Sequence, residues 1–282
     1  MPDRQTRSAR ELPGPRAGGY TGRMGLVTYD LRDRVAWIGL DRPDKRNAVS
    51  DALFAALGDA VARAQAEARA IVLHGHGPAF CAGLDLSEHR ARDPAAVFHH
   101  SRGWHRGLAA LRGGPIPAVA ALHGAVIGGG LEIASACHLR VADASAFFAL
   151  PEAARGIYVG GGASVHLARL IGAARMADMM LTGRVLSVEE AERAGLVTYL
   201  VPAGAAADKA GALAARIAEL PELSVLGILH ALPRIQDMAE ADGLFVESLT
   251  AALAQSGAAA AEGVERFLAG RAERLTVKDT SP

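Results

Sequence analysis

Two glutamates, Glu132 and Glu152, stand where carboxyl groups could move protons. Glu132 lies in the first turn of a helix introduced by the glycine run 128–130, and Glu152 follows an apolar strand-like segment and Pro151. Two carboxyl groups in an apolar setting do not ionise together, so one can stay protonated as an acid while the other acts as a base. The pair predicts proton transfer. The alternatives are a helix-dipole partner for Glu132 and a surface strand-end residue for Glu152.

Two glycine-containing segments could supply main-chain donors to an oxygen that gains negative charge. The run 128–130 ends a β-branched segment and starts a helix, and the loop 75–85 also joins a strand to a helix. The first N–H groups of a helix have no partner within it and attract anions, such as a phosphate or the enolate oxygen of a thioester. The residues alone do not choose between these ligands, and close helix–strand packing is an equal alternative for the glycine run.

Several other catalytic signatures are absent from the sequence. Two glycines follow the strand near residue 74, but Phe80 occupies the third glycine position of a dinucleotide-binding loop and no acidic residue follows at the usual spacing. The phosphate-loop GK[ST], the HExxH zinc motif and the GxSxG elbow do not occur. His99, His100 and His105 form no clear ligand set on one helical face, so we predict no metal site.

The composition is that of a neutral globular protein. Of 282 residues, 50% are apolar and 21% are charged, and 30 Lys plus Arg balance 30 Asp plus Glu. This balance excludes a disordered polyelectrolyte and produces no overall field toward nucleic acid or an anionic membrane. Cys81 and Cys137 cannot make a disulfide framework, and polar residues and glycines interrupt the apolar stretch 116–136. We therefore expect a cytoplasmic protein with a small-molecule partner, without nucleic-acid or membrane binding.

Strand and helix patterns alternate along the chain and give way to helices near its end. We expect an α/β fold with a disordered Arg/Pro/Gly-rich arm at 1–23, a core at 24–201 and a helical region at 202–282. A hairpin is predicted around residues 30–34, and Ser50 is predicted to cap a helix over 51–67. If the strand-like segments HLRVAD and AFFAL run out and back, the chain returns Glu152 toward Glu132. The C-terminal helices are predicted at 207–219, 222–232, 239–255 and 259–274.

Five segments, in order and in register, carry a resemblance to a known family. Together they strongly resemble the crotonase (enoyl-CoA hydratase/isomerase) superfamily, over about residues 24–274. The segments are LDRPDKRNAVS from Leu40, GPAFCAGLDLSEH from Gly77, AALHGAVIGGGLEIASAC from Ala120, FALPEAARGI from Phe148 and LTGRVLSVEEAERAGLV from Leu181.

The resemblance implies a fold, an assembly and a set of binding residues. The fold is a crotonase-type spiral of ββα turns with a helical C-terminal region that packs into homotrimers, often paired as hexamers. The main-chain N–H groups of Leu84 and Gly129 would form the oxyanion hole for an acyl-CoA thioester. The implied CoA-binding residues are Lys45, Arg46, Ala82, Gly83, Asp85, Leu86 and Gly128, with Arg271 and Arg274 reaching the CoA phosphate in the same or a neighbouring subunit.

The resemblance also implies an activity. Hydratases of the family carry two catalytic glutamates at the positions of Glu132 and Glu152, which predicts syn addition of water to a trans-2-enoyl-CoA, as in fatty-acid β-oxidation. No cofactor is expected beyond the coenzyme A of the substrate. The alternatives are an enoyl-CoA isomerase, a hydratase-lyase acting on an unusual acyl-CoA, and a non-catalytic acyl-CoA or RNA-binding homologue, although the neutral charge argues against RNA.

Two positions depart from the usual hydratase pattern. His138 stands where an Asp commonly follows the helix Cys, and residues 159–162 lack the Pro of the familiar PGxGG turn. Arg155, Tyr158 and His166, near the altered turn, could serve an unusual acyl group. A repacked loop is the simpler interpretation.

Overall fold

The computed structural model describes residues 21–87 and 93–271. The strands in this part are β1 (Thr21–Met24), β2 (Val27–Arg32), β3 (Val35–Leu40), β4 (Ala70–Gly75), β5 (Ala118–Leu122), β6 (Ala125–Ile127), β7 (Leu139–Asp143), β8 (Phe147–Ala149), β9 (Leu186–Ser187) and β10 (Tyr199–Val201). A larger sheet has the order β1-β2-β3-β4-β5-β7-β10, and a smaller one has the order β6-β8-β9.

The chain enters the larger sheet earlier than predicted. Thr21–Met24 pairs antiparallel with β2, with Arg23 opposite Thr28. Ladder hydrogen bonds therefore order residues 21–23, so the predicted disordered arm does not include them; residues 1–20 lie outside the described part. The predicted hairpin is confirmed as β2 and β3, which are joined at Asp33, with φ +51°.

Strands β3, β4, β5, β7 and β10 run parallel and are covered on both faces. Alternate residues of β4 point to opposite faces, so Ile71 and Leu73 enter the main core while Ala70 and Val72 enter a second cluster. The second cluster lies under α7 (Ala206–Ala218), whose buried residues are alanines at four-residue spacing. This helix belongs to the predicted C-terminal region, yet it completes the packing of the sheet.

Six α-helices precede α7 in the described part of the chain, and the first of them packs on the main-core face of the larger sheet. The predicted helix 51–67 is confirmed as α1 (Asp51–Glu67), whose N-cap Ser50 accepts a hydrogen bond from the Leu53 N–H at 3.1 Å. Its buried stripe includes Leu53, Leu57 and Val61. The other helices before α7 are α2 (Pro94–Gly113), α3 (Gly129–Ala136), α4 (Ala163–Ile171), α5 (Ala173–Thr182) and α6 (Val188–Arg193).

The chain winds in repeated turns of strand, strand and helix. Strand β5 in the larger sheet leads to β6 in the smaller sheet and then to α3, and β7, β8 and α4 repeat this order. Both second strands lie in the smaller sheet, where β6 and β8 are parallel neighbours. This is the expected α/β spiral of ββα turns, and it places the starts of successive helices beside one another.

Helices follow the last strand. After α7 come α8 (Glu222–Leu226), a π-helical turn at Gly227–Ala231, α9 (Leu232–Ile235), α10 (Glu240–Gln255) and α11 (Ala258–Leu268). The last helix ends at Leu268, earlier than the predicted 274, and Ala269 caps it. No helix within 21–87 and 93–271 is long and apolar enough to cross a membrane.

Candidate active site

Parallel pairing of β6 with β8 brings the two glutamates together. Ile127 lies opposite Ala149, and the Gly128 N–H donates to the Ala149 carbonyl at 3.0 Å. Both strands therefore end at the same edge, where α3 starts with Glu132 and the turn after β8 carries Glu152. The segments HLRVAD and AFFAL are β7 and β8 of different sheets, so the return of Glu152 toward Glu132 comes from the pairing of β8 with β6 and not from a hairpin.

Glu132 is a buried carboxyl group held by two main-chain donors. Its Oε1 accepts hydrogen bonds from the Gly161 N–H at 2.7 Å and the Ala163 N–H at 3.2 Å. Burial raises the pKa of Glu132 to about 7; the two amides oppose this shift and the nearby Glu152 charge adds to it. A carboxyl group with this pKa can give or take a proton near neutral pH.

Glu152 is also buried, and one of its oxygens is uncommitted. Its Oε2 has no hydrogen-bond partner in the described part of the chain. Burial is the main cause that raises its pKa, and the charge of Arg155 partly opposes the rise. A Cβ placed on Gly128 would lie 2.6 Å from Glu152 Oε1 and would displace this carboxyl group, and the φ of +51° also favours glycine. The two carboxyl groups have different surroundings and can take different protonation states.

The two predicted oxyanion-hole amides also lie close together. A Cβ on Gly129 would be 3.7 Å from the Leu84 nitrogen, and one on Gly83 would be 3.9 Å from the Gly128 Cα. Within the described residues, neither the Leu84 N–H nor the Gly129 N–H has an acceptor. Gly129 is the first residue of α3, where N–H groups have no helical partner. The pair of free amides suits an oxygen that becomes negatively charged.

Residues 81–87 are tied to the turn that contains Lys45 and Arg46. The Ala82 N–H donates to the Arg46 carbonyl at 2.9 Å, and the Asp85 carboxylate forms an ion pair with Arg42 at 2.8 Å. A hydrogen bond from Ser87 and the pairing with Arg42 lower the pKa of Asp85 to about 2. The Asp85 carboxylate is thus engaged within the protein, where it positions the loop.

The other predicted CoA-binding residues differ in location. Lys45, Arg46 and Leu86 are exposed beside that loop. Arg271 is exposed after α11, and none of its described contacts joins it to the glutamates. Arg274 lies outside the described residues.

Sequence reasoning missed Trp104, which lies at the base of the site. This buried side chain of α2 stacks on Phe54, with ring centroids 4.2 Å apart. A Cβ on Gly161 would lie 2.8 Å from the Trp104 ring and 3.0 Å from Glu132 Cδ, and one on Gly129 would lie 3.1 Å from the ring. The sequence offered one signal for this residue: Trp104 is one of only two tryptophans, and it lies on the predicted helix that follows the loop 75–85.

One departure from the family pattern, His138, has a structural explanation. His138 Nδ1 accepts from the Ala118 N–H at 3.0 Å and Nε2 donates to the Arg112 carbonyl at 2.9 Å, which defines a neutral ring. Burial lowers its pKa to about 4. Of the residues near the altered turn, Tyr158 is exposed and His166 lines a different cavity.

Two further candidate groups, Cys81 and His100, are engaged in contacts away from the glutamates. Cys81 is buried, its pKa is raised to about 12 by burial, and its Sγ donates to the Asn47 carbonyl at 3.0 Å. On α2, His100 pairs with Asp51 at 2.8 Å. In the described ranges, no group of three His, Cys, Asp or Glu side chains could hold a metal ion.

Comparison with known proteins gives a consistent result. The enoyl-CoA hydratase/isomerase family profile matches residues 30–276. The 2,3-dehydroadipyl-CoA hydratase of Escherichia coli is 32% identical over 88% of this chain and 97% of its own, and the (E)-benzylidenesuccinyl-CoA hydratase of Thauera aromatica is 33% identical over 79% and 88%. A crystal structure from Rhodopseudomonas palustris, provisionally named an enoyl-CoA hydratase, is 48% identical with a TM-score of 0.86, covering 90% of this chain and 98% of its own. The chain is a crotonase-type enzyme of the enoyl-CoA hydratase/isomerase family.

Proposed function

We propose that this protein is an enoyl-CoA hydratase that adds water syn across the double bond of a trans-2-enoyl-CoA. The observation that carries the proposal is the convergence of Glu132 and Glu152 beside the free N–H groups of Leu84 and Gly129. This arrangement combines an acid, a base and an electrophilic pocket at one place. The names of the hydratase relatives support the same reaction class.

In the proposed reaction, Glu132 takes a proton from water as the water oxygen bonds to Cβ. The electrons of the double bond move toward the thioester oxygen, which the amides of Leu84 and Gly129 stabilise as an enolate. Glu152 then gives its proton to Cα as the thioester carbonyl re-forms. A proton passing from Glu132 to Glu152, directly or through solvent, restores both groups, so the net change is addition of one water molecule.

The different surroundings of the two glutamates support this division of labour. The N–H groups of Gly161 and Ala163 favour the ionised form of Glu132, which a base requires. Glu152 Oε2 lacks such donors within the described residues, and burial favours its protonated form. We therefore assign Glu132 as base and Glu152 as acid.

We further propose that Lys45, Arg46 and the loop 82–86 bind the CoA portion, with Arg271 and Arg274 contributing at a phosphate. The coenzyme A arrives as part of the substrate, and the reaction needs no other cofactor. A role in β-oxidation and a cytoplasmic location remain predictions of the same proposal.

A homotrimer or a dimer of trimers is also proposed. The C-terminal helices α10 and α11 carry exposed apolar side chains, including Phe245, Leu249 and Phe267, which are 65%, 56% and 71% exposed. An apolar surface of this kind is typical of a protein interface. Sedimentation velocity of the full chain should show a trimer or hexamer, and Leu249→Glu should shift it toward monomer; a monomeric wild type would refute the assembly.

The activity is tested with trans-2-enoyl-CoA thioesters of graded chain length in ¹⁸O-labelled water. Loss of the conjugated chromophore and appearance of one ¹⁸O atom at Cβ are expected. Glu132→Gln and Glu152→Gln should each lower kcat by about 10²–10⁴-fold, since each removes one proton-transfer group. Glu192→Gln is the matched control, because Glu192 is exposed on α6.

Three results would refute the proposal. Unchanged hydration in both glutamine variants would exclude the glutamates. A shifted double bond without ¹⁸O would indicate an isomerase, and no turnover of any thioester would favour a binding protein.

A further inference from the structure

A second cavity lies at the other end of α3, away from the glutamates. Glu132 occupies the first turn of this helix, whereas Cys137, its C-cap, lines the cavity. The cavity has a volume of about 660 Å³ and lies between the core and helices α8 and α9. This volume is within the range of small-molecule sites, about 300–1,000 Å³.

Positive charge dominates the cavity walls. Arg112, Arg140, Arg169 and Arg234 line it, and Asp237 is the only carboxylate among its described lining residues, which leaves a net charge of +3. Asp237 is already paired with Arg169 at 3.1 Å.

Within the described part of the chain, the side chains of the other three arginines donate only to main-chain carbonyls. Arg140 donates to the Leu196 and Cys137 carbonyls, each at 2.6 Å, and Arg234 to the carbonyl of His230 at 2.6 Å. Arg112 makes a long contact of 3.4 Å with the Ser135 carbonyl. Across residues 21–87 and 93–271, no carboxylate forms an ion pair with any of these three. Like charges facing one cavity repel each other, and an anion between them would relieve that repulsion.

A polar atom without a partner lies at the same wall. His166 Nδ1 is buried and has no hydrogen-bond partner in the described structure. Burial and then the charge of Arg112 lower the pKa of His166 to about 4, so the ring is neutral near pH 7. Its free nitrogen can donate to or accept from a bound polar group, depending on the tautomer.

Most of the remaining wall is aliphatic; His138, His230 and Cys137 also line it, and both ring nitrogens of His138 are already hydrogen-bonded. Leu170, Ile217, Val225 and Leu229 line the same cavity as the arginines. A ligand that fits must present an anionic head to the guanidinium groups and an apolar body to these side chains. An inorganic anion would leave most of the cavity surface without contact.

We propose that this cavity binds an aliphatic monocarboxylate of medium chain length, with its carboxylate between Arg112 and Arg234. A guanidinium group suits a carboxylate because its planar N–H donors can bind both oxygens. The site is separate from the glutamate pair and does not depend on the proposed hydration activity.

Isothermal titration of the full-length protein with octanoate tests the proposal. Saturable binding is expected, and octan-1-ol, which has the chain without the charge, should bind at least about 10-fold more weakly. Arg112→Gln and Arg234→Gln should each weaken octanoate binding by about 10-fold, or about 1.4 kcal/mol. Arg175→Gln is the matched control: like Arg234, Arg175 donates to the carbonyl four residues earlier, but it lies outside the cavity.

Absence of octanoate binding to the wild type would overturn the proposal. That result is expected, for example, if a second copy of the chain fills the cavity. Equal binding of octanoate and octan-1-ol, or equal losses in Arg175→Gln and Arg234→Gln, would also overturn it. If an arginine variant fails to fold, the comparison of octanoate with octan-1-ol on the wild type still decides.

Discussion

The two ends of α3 bury groups of like charge and handle them differently. At its start, Glu132 and Glu152 face each other, and at its end Arg112 and Arg140 face one cavity. A carboxyl group can relieve repulsion by taking a proton, and burial accordingly raises the pKa of both glutamates. A guanidinium group does not lose its proton in proteins, so its charge persists.

This difference explains why the two ends suit different roles. The acidic end of α3, with Glu132 and Glu152, can exchange protons with a substrate without binding a counterion. Hydration needs this proton exchange. The basic end of α3, where Arg112 and Arg140 face the cavity, keeps its charge at every physiological pH, so only a bound anion can neutralise it. The same feature, burial of like charges, thus predicts chemistry at one end and binding at the other.

The largest test asks whether the acidic end works as a unit. We expect the double variant Glu132→Gln/Glu152→Gln to be no more than about 10-fold slower than the slower single variant, because the effects of residues that act as a unit are not additive. Single-turnover hydration of an enoyl-CoA measures this. A double variant whose loss equals the product of the two single losses would show that the glutamates act independently.

A smaller effect is expected from crowding Glu152. Gly128→Ala would place a methyl group 2.6 Å from Glu152 Oε1, and displacement of this carboxyl group should lower kcat by up to about 10²-fold. Gly172→Ala is the control, since Gly172 also has positive φ, +82°, but its Cβ would meet nothing within 4 Å. Both variants should lose stability in thermal unfolding, by about 1–3 kcal/mol. Equal activity in both variants would contradict the close approach.

The pH dependence of kcat/KM tests whether the buried glutamates at the start of α3 titrate near neutral pH. Because the base form of Glu132 is required and its pKa is about 7, kcat/KM should fall about 10-fold per pH unit well below pH 7. The observed pKa belongs to the coupled pair of glutamates. An acid limb of the kcat/KM profile with its midpoint near pH 4.5 would contradict the effect of burial on the pKa of Glu132.

The same titration affects stability. The folded-state pKa of Glu132 lies above its ordinary value of 4.5, so its contribution to the free energy of unfolding is fully present below pH 4.5 and is lost as pH rises through about 7. Denaturant unfolding at pH 5 and pH 8 should show this decline. Glu132→Gln should reduce it.

The smallest effect concerns the basic end. Asp237→Asn removes the one carboxylate among the described lining residues and should tighten octanoate binding by a few-fold. Its ion pair with Arg169 is more than half exposed, so the free energy of unfolding should change by less than about 1 kcal/mol. Titration calorimetry and chemical unfolding measure the two quantities. Weaker octanoate binding would argue against attraction by the net positive charge.

Local sequence signals were sufficient for elements that depend on neighbouring residues. Ser50 and the stripe of Leu53, Leu57 and Val61 predicted α1 with its bounds, because capping and helical periodicity act within a few turns. Two short β-rich runs around the polar segment 30–34 likewise predicted the β2–β3 hairpin. The end of the last helix was placed too late, since apolar periodicity alone does not locate a C-terminal cap.

Motif resemblance identified the candidate site residues Glu132, Glu152, Leu84 and Gly129. It did not explain why these residues lie close together in the fold. The sequence by itself determined the residue types: two glutamates, two glycine-containing loops and a set of arginines spread along the chain. Only the tertiary structure decided that β6 and β8 pair in parallel, that Trp104 lies beneath the glutamates and that Arg112 and Arg234 share a cavity. Each of these contacts joins residues that are distant in the chain. Such contacts depend on packing between sheets and helices, which local propensity and spacing do not encode.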